Sequence, residues 1–230
     1  MIMPISFIID VVFKIFDCNK NITRFIADKF AKIWSIFLMF CLKITCGITY
    51  EIRGKENIPQ NQSVIIASKH QSMWETVIMH LIVRHPVYIF KKELLKIPFY
   101  GWYLHFMSGI VADRQGGSKA LKSIVNSGKK YLKNKQNIVI FPQGTRTKIG
   151  AKIEDYPYQS GLLGLYNFLK VPVVPAALNS GLYWSKDAKK PGKIIIEFLP
   201  MIESGLKKEQ FVNLLQGAIE QKSDDLLKND

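Results

Sequence analysis

A chain of 230 residues is long enough to bury a core as one domain, and 32 Lys and Arg against 18 Asp and Glu give it a formal charge of +14. That balance favours anionic partners, and a hydrophobic content of 48% with 14 Phe is high for a protein so basic, which moves the weight from nucleic acid towards a lipid or membrane partner. The three cysteines, Cys18, Cys41 and Cys46, are odd in number and lack neighbours at zinc spacing, which speaks against a disulfide framework or a metal site and for a reducing, cytoplasmic setting.

The first stretch, MIMPISFIIDVVFKIF, lacks a basic start and a small-residue cleavage site and is interrupted by Asp10 and Lys14, so it does not read as a signal peptide. Ile33 to Leu42 is strongly apolar, but Lys43 ends it short of the about 20 residues a membrane span requires. Between them Ile22, Phe25, Ile26, Phe30 and Ile33 recur at helical spacing. Residues 1–47 are therefore expected to form two helices lying in or dipping into one leaflet, with packing onto the rest of the protein, and behind it a full span by a tilted helix or across a thin membrane, as the other readings. Residues 48–230 alternate between short apolar runs and amphipathic stretches. Strands are predicted at Thr49–Arg53, Ser63–Ala67, Val87–Phe90, Gly109–Ala112, Ile138–Phe141, Val173–Leu178 and Lys193–Leu199. Helices are predicted from Met73 to near Val83, Lys92 to near Phe106, Ser118 to near Lys135, Ser160 to Leu169, and from near Lys207 to Leu227. Such alternation spells βαβ units, hence an α/β fold with a mainly parallel central sheet and helices on both faces.

In sheets of this kind ligands bind outside the carboxyl ends of the strands. Three polar sets fall there: His70 after one predicted strand, Asp113 and Arg114 after another, and Gln143-Gly144-Thr145-Arg146 after a third. His70 and Glu75 stand five positions apart, and on one helix they would be turned about 140° from each other. They can meet only if His70 precedes the helix and Glu75 lies in its first turn. The pair would then fix the imidazole tautomer and leave the other nitrogen as a general base. Equally, Ser72-Met73-Trp74-Glu75 fits a capping box with Ser72 as N-cap. The two readings are not exclusive: one carboxylate does not easily serve both sets of donors at once, but it can sit near both. In the third set, Gly144 permits close backbone approach to an anion, Thr145 offers a hydroxyl and Arg146 a fork suited to phosphate; a plain turn with exposed basic residues is the alternative. Between Arg114 and Ile153 ten basic residues occur without one acidic residue, a solvated face or one that meets an anionic membrane surface.

Taken together and in order, H-x4-E at His70, I-x-x-D-R ending at Arg114, F-P-x-G-T-R ending at Arg146 and V-P-V-V-P from Val171 to Pro175 resemble the four motifs of the glycerolipid acyltransferases. Within that family the chain is most similar to the bacterial 1-acyl-sn-glycerol-3-phosphate acyltransferases, a likeness that extends from about Ile52 to about Leu182 and includes KKELLKIPFYGWYL. The resemblance implies His70 as general base, Glu75 as its orienting acid, Arg114 and Arg146 as phosphate ligands, Gly144 and Thr145 as shapers of that pocket, and Pro172 and Pro175 as a wall beside the acyl channel. It implies no metal and no cofactor, only acyl-CoA or acyl-acyl-carrier protein as co-substrate. The expected reaction is transfer of an acyl group to the second hydroxyl of lysophosphatidic acid at the cytoplasmic face of a membrane. The same family also contains enzymes for glycerol-3-phosphate, other lysophospholipids and aminolipids. If Glu75 serves only as a cap, a non-catalytic membrane-binding protein on the same fold remains. Nucleic-acid binding lacks interleaved exposed aromatics or a binding motif. Two positions depart from the family pattern: Glu75 where Asp is commoner, and Gln143 where Glu is usual.

Overall fold

The computed structural model describes residues 20–97, 101, 104, 109–113, 116–185 and 187–228, with side chains from residue 25 onward. Seven strands build one sheet: β1 (Ile48–Arg53), β2 (Ile65–Ser68), β3 (Pro86–Lys91), β4 (Gly109–Ala112), β5 (Asn137–Ile140), β6 (Val173–Leu178) and β7 (Gly192–Phe198). Their spatial order is β1-β7-β6-β2-β5-β3-β4. From β6 to β4 all neighbours run parallel, whereas β7 lies antiparallel to β6 and carries β1 parallel to itself. The sheet is thus mixed and mostly parallel. Among the described residues, the segment between β6 and β7 carries no helix long enough to serve as the usual crossover of a parallel return. The chain instead makes one short turn of helix, Ser180–Tyr183, and comes back.

The central strands β2 (IIAS), β5 (NIVI) and β6 (VVPAAL) are buried at every residue, as expected of strands covered on both faces. Alternate side chains divide the core. Ile66, Val139 and Val174 pack with Met39 and Leu42 of α1 (Lys20–Cys46) and Trp74, Ile78 and Met79 of α2 (Trp74–Ile82). Ile65, Ile138 and Val173 pack on the other face with Ile124 of α3 (Gly117–Lys133), Leu162 and Leu165 of α4 (Ser160–Leu169), and Phe211, Leu215 and Ile219 of the C-terminal helix. With the short Ser180–Tyr183 helix as α5, that last helix is α6 (Lys208–Lys228). Gly128 allows the close approach of α3, since a Cβ there would stand 3.0 Å from Leu169 Cδ1 and 3.3 Å from Ile138 Cδ1.

α1 is one continuous helix. The part of the two-helix expectation that falls on residues 1–19 lies outside the described residues. α1 lays a narrow stripe (Ala31, Ser35, Met39, Leu42) against the protein, with Ser35 Oγ donating to Val77 O at 3.1 Å. Its other side exposes Phe25, Phe30, Ile33, Trp34, Ile36, Phe37, Phe40 and Ile44. Among the described residues no helix is long and apolar enough to cross a membrane. The helix predicted from Lys92 is a 3₁₀ turn over Lys92–Lys96, and Ile97 leaves it extended at φ −78°, ψ 119°. Pro98 supplies the reason, because it pushes the preceding residue out of the helical region. Most of the remainder of that predicted helix lies outside the described residues.

Candidate active site

The carboxyl ends of β2, β4, β5 and β6 lie on one rim of the sheet. β2 ends at Ser68, and the chain makes a loop before α2 begins at Trp74, which places His70 outside the helix and Glu75 in its first turn. His70 Nδ1 stands 2.9 Å from Glu75 Oε1. The imidazole stacks on Phe141 from the end of β5, with centroids 4.0 Å apart and planes inclined by 17°. Its backbone carbonyl accepts from Thr147 N at 2.7 Å and Thr147 Oγ1 at 3.0 Å. Ring, backbone and Nδ1 are therefore all held, and Nε2 is the nitrogen left for a substrate.

Glu75 is fully buried and collects more than the histidine. The same Oε1 accepts from Gln71 N at 2.5 Å and Ser72 N at 2.7 Å. Oε2 accepts from Ser72 Oγ at 2.7 Å and Ser180 Oγ at 2.8 Å. Burial pushes the carboxyl up, but the hydrogen bond and charge of His70, together with the bonds from Ser72, outweigh it and hold Glu75 below its ordinary value. A carboxylate facing Nδ1 keeps the proton on that nitrogen and the lone pair on Nε2. The expectation that one carboxylate would not easily serve the histidine and the backbone together is corrected here: a carboxylate offers about four acceptor sites, and the loop aims three donors at one oxygen. The cap is also displaced by a residue. Met73 is the N-cap, and Ser72 Oγ accepts from Trp74 N at 3.0 Å.

His70 opens into a cavity of about 1320 Å³. Gly144, Thr145 and Arg146 line it with His70, and so does Asp113 from the end of β4, which pairs with Lys92 at 3.2 Å. Gly144 takes φ 64° in the turn after β5, a conformation that glycine adopts without steric cost. Thr145 and Arg146 are exposed on the rim. Arg114 lies outside the described residues. Apart from that rim the walls are mostly apolar: Trp34 from α1, Val77 from α2, Leu121 and Ile124 from α3, and Leu162 and Leu165 from α4 are among them. This volume exceeds the about 300–1,000 Å³ of ordinary small-molecule sites. His80 closes one wall as a neutral imidazole, since burial lowers its pKa to about 4 against the opposing charge of Asp28.

Several residues at the site were given no role from the sequence, although Phe141 opens the F-P-x-G-T-R run. Phe141, Thr147, Gln71 and Ser180 all hold the pair or its loop, and Gly181 N donates to Gln71 Oε1 at 3.1 Å. Ser180 also had a cue, since it follows the carboxyl end of β6, where functional groups gather. Neither proline of the V-P-V-V-P run lines this cavity. Pro172 borders a separate pocket of about 340 Å³, and Pro175 lies within β6 beside Ala67. The run builds a central strand, whose side chains face helices on both sides rather than a channel.

The sequence model of the family described as Acyltransferase matches residues 49–179. A 1-acyl-sn-glycerol-3-phosphate acyltransferase of Pseudomonas aeruginosa is 37% identical over 74% of this chain and 66% of its own length. One from Cocos nucifera is 28% identical over 73% of this chain and 54% of its own. The match thus spans two thirds or less of these relatives. In fold, the chain is similar to the crystal structure of the 1-acyl-sn-glycerophosphate (LPA) acyltransferase of Thermotoga maritima, with a TM-score of 0.66 and 22% identity over 87% of this chain and 78% of that one. With its ordered motifs, its α/β sheet and a match across more than half its length, this chain belongs to the acyltransferase family.

Proposed function

We propose that the protein transfers a fatty acyl group from a thioester to the sn-2 hydroxyl of 1-acyl-glycerol-3-phosphate, giving phosphatidic acid. The observation that carries this reading is the His70–Glu75 pair opening into a large apolar cavity whose rim bears Gly144, Thr145 and Arg146. His70 Nε2 takes the proton of the acceptor hydroxyl as its oxygen attacks the thioester carbon. Collapse of the tetrahedral oxyanion breaks the C–S bond, and the imidazolium returns the proton to the departing thiolate. Glu75 holds the ring and stabilises the imidazolium in between. Arg146 on the rim, with Arg114, binds the phosphate, and Gly144 and Thr145 shape that pocket. Acyl-CoA or acyl-acyl-carrier protein is the co-substrate, and no cofactor enters the chemistry.

Residues 48–230 form the acyltransferase domain in this reading, and residues 1–47 attach it to the cytoplasmic face of a membrane. The large apolar side chains exposed along α1 support it, because soluble monomers rarely show an extensive apolar patch. Phe30 and Trp34 belong both to that side and to the cavity wall, which supplies an apolar path from bilayer to site. The basic residues of α3, exposed at Lys119, Lys122, Lys129, Lys130 and Lys133, suit an anionic surface. The test is acyl transfer by the purified protein with lysophosphatidic acid, glycerol-3-phosphate and lysophosphatidylcholine, each with both donors, beside His70→Ala. Phosphatidic acid formed from lysophosphatidic acid and abolished in the folded variant supports the proposal. Preference for another acceptor moves the protein within the family, and substantial activity in His70→Ala refutes the base.

A further inference from the structure

Behind the rim lies a second polar cluster that the reaction does not use, with Lys69 and Gln143 buried and Glu220 and Tyr158 partly so. Glu220, on α6, pairs through Oε2 with Lys69 Nζ and through Oε1 accepts from Gln143 Nε2 at 3.0 Å and Tyr158 OH at 2.9 Å. Lys69 is 6% exposed and Gln143 3%. Burial, then the charge and hydrogen bond of Glu220, push the Tyr158 phenol far up, so it stays a donor. The three partners come from three separate segments, each next to a part of the site. Lys69 precedes His70, Gln143 precedes Gly144-Thr145-Arg146, and Tyr158 precedes Gln159, which lines the cavity and donates its backbone N–H to Pro142 O at 2.8 Å. Glu220 itself lies outside residues 49–179, the part that the family model matches.

We propose that Glu220 is a positioning residue: one carboxylate on the C-terminal helix sets the distance between the base at His70 and the anion-binding turn at Gly144–Arg146. The inference rests on the acyl-transfer reading of that site. Its chemistry is specific. Oε1 of Glu220 receives two hydrogen bonds and Oε2 a buried ammonium, so position 143 must offer a donor. Gln143 does, with its amide nitrogen towards Glu220 and its side chain turned from the cavity. A second carboxylate at 143 would bring two negative charges to hydrogen-bonding distance around a single lysine, and one would have to move or take up a proton. The Gln that departs from the family pattern is what this contact requires.

The test is an exchange of donor and acceptor: Gln143→Glu, Glu220→Gln and the double variant, each followed by melting temperature and by kcat and KM for acyl transfer. Each single variant is expected to lose about ten- to hundredfold in kcat/KM, because it displaces a loop carrying part of the reacting geometry. The double variant can turn the new amide nitrogen at position 220 to the new carboxylate at position 143 and the amide oxygen to Lys69, and is expected to recover to within about threefold of the parent protein. Glu220→Gln leaves Lys69 buried without its counter-charge and can fail to fold. Gln143→Glu and the double variant keep the test open in that case. Folded single variants with unchanged kinetics overturn the proposal, as does a double variant whose loss equals the product of the single losses. Melting temperatures that fall while kcat and KM hold reduce Glu220 to a stabilising residue and overturn its positioning role. Failure of the parent protein on every acceptor strikes the acyl-transfer reading instead. Melting temperatures then carry the pairing alone, and additive shifts refute it.

Discussion

Replacing Glu75 by Gln separates the charge of this residue from its shape. In the parent protein the carboxylate accepts from five donors, three on Oε1 at 2.5 to 2.9 Å and two hydroxyls on Oε2 at 2.7 and 2.8 Å. A Gln side chain with its oxygen in place of Oε1 keeps the first three, and the hydroxyls of Ser72 and Ser180 turn to accept from its nitrogen. The unfolding free energy should therefore stay within about 2 kcal/mol of the parent. Catalysis should not. When His70 takes its proton, the imidazolium forms 2.9 Å from a neutral amide rather than an anion. The contribution of a hydrogen bond to a charged group, about 1.5 kcal/mol at its low end, sets the smaller figure, and a Coulomb interaction of about 4 kcal/mol, for a pair 4 Å apart at the effective dielectric of such sites, sets the larger one. That is a loss of about 10- to 1000-fold in kcat, with KM little changed because Glu75 does not line the cavity. Initial rates over a range of acceptor concentration, paired with thermal unfolding of the same sample, read both quantities. A folded variant whose kcat lies within about twofold of the parent refutes the account and leaves Glu75 as a helix-start ligand only.

Arg146→Ala should raise KM for the phosphate-bearing acceptor by about ten- to hundredfold and affect an acceptor without phosphate little; equal effects on both would remove Arg146 from phosphate recognition. Phe37 and Phe40 are 54% and 61% exposed, so changing each to Ser should leave thermal unfolding nearly unchanged while weakening binding to anionic vesicles about tenfold per residue. Cosedimentation measures this, and undiminished binding would exclude this side of α1 as the contact. His80 is neutral in the fold, with its pKa lowered from 6.5 to about 4. As pH falls through that window the unfolded chain takes a proton that the folded chain refuses, so stability drops by about 1.4 kcal/mol per pH unit, near 3 kcal/mol in all. Above pH 6.5 the group has no such effect. Denaturant titrations between pH 7 and 4 should show His80→Gln losing less stability on acidification than the parent, and parallel curves would contradict the assignment.

Much of this was legible along the chain because it rests on short-range rules. The buried runs of β2, β5 and β6 announce themselves as apolar segments bounded by polar turns, and α3 by apolar positions at helical spacing with its lysines outside. His70 and Glu75 could be paired in advance because only a helix start between them brings residues five apart together. Gly144, Thr145 and Arg146 were placed on the rim by the rule that parallel strands present their carboxyl ends to ligands. What the tertiary structure alone decided lies at long separation. The antiparallel return of β7 pairs Ala176, Ala177 and Leu178 with Phe198, Glu197 and Ile196, about 20 positions on, which no local pattern announces. Ser180 reaches Glu75 across 105 positions and Glu220 reaches Lys69 across 151. α6 could be predicted from its own periodicity, but nothing local says which of its polar residues will be drawn under the rim. That choice is made when Phe211, Leu215 and Ile219 bury against the sheet and carry Glu220 in beside them, where it meets the buried ammonium of Lys69, which would otherwise remain unpaired away from water.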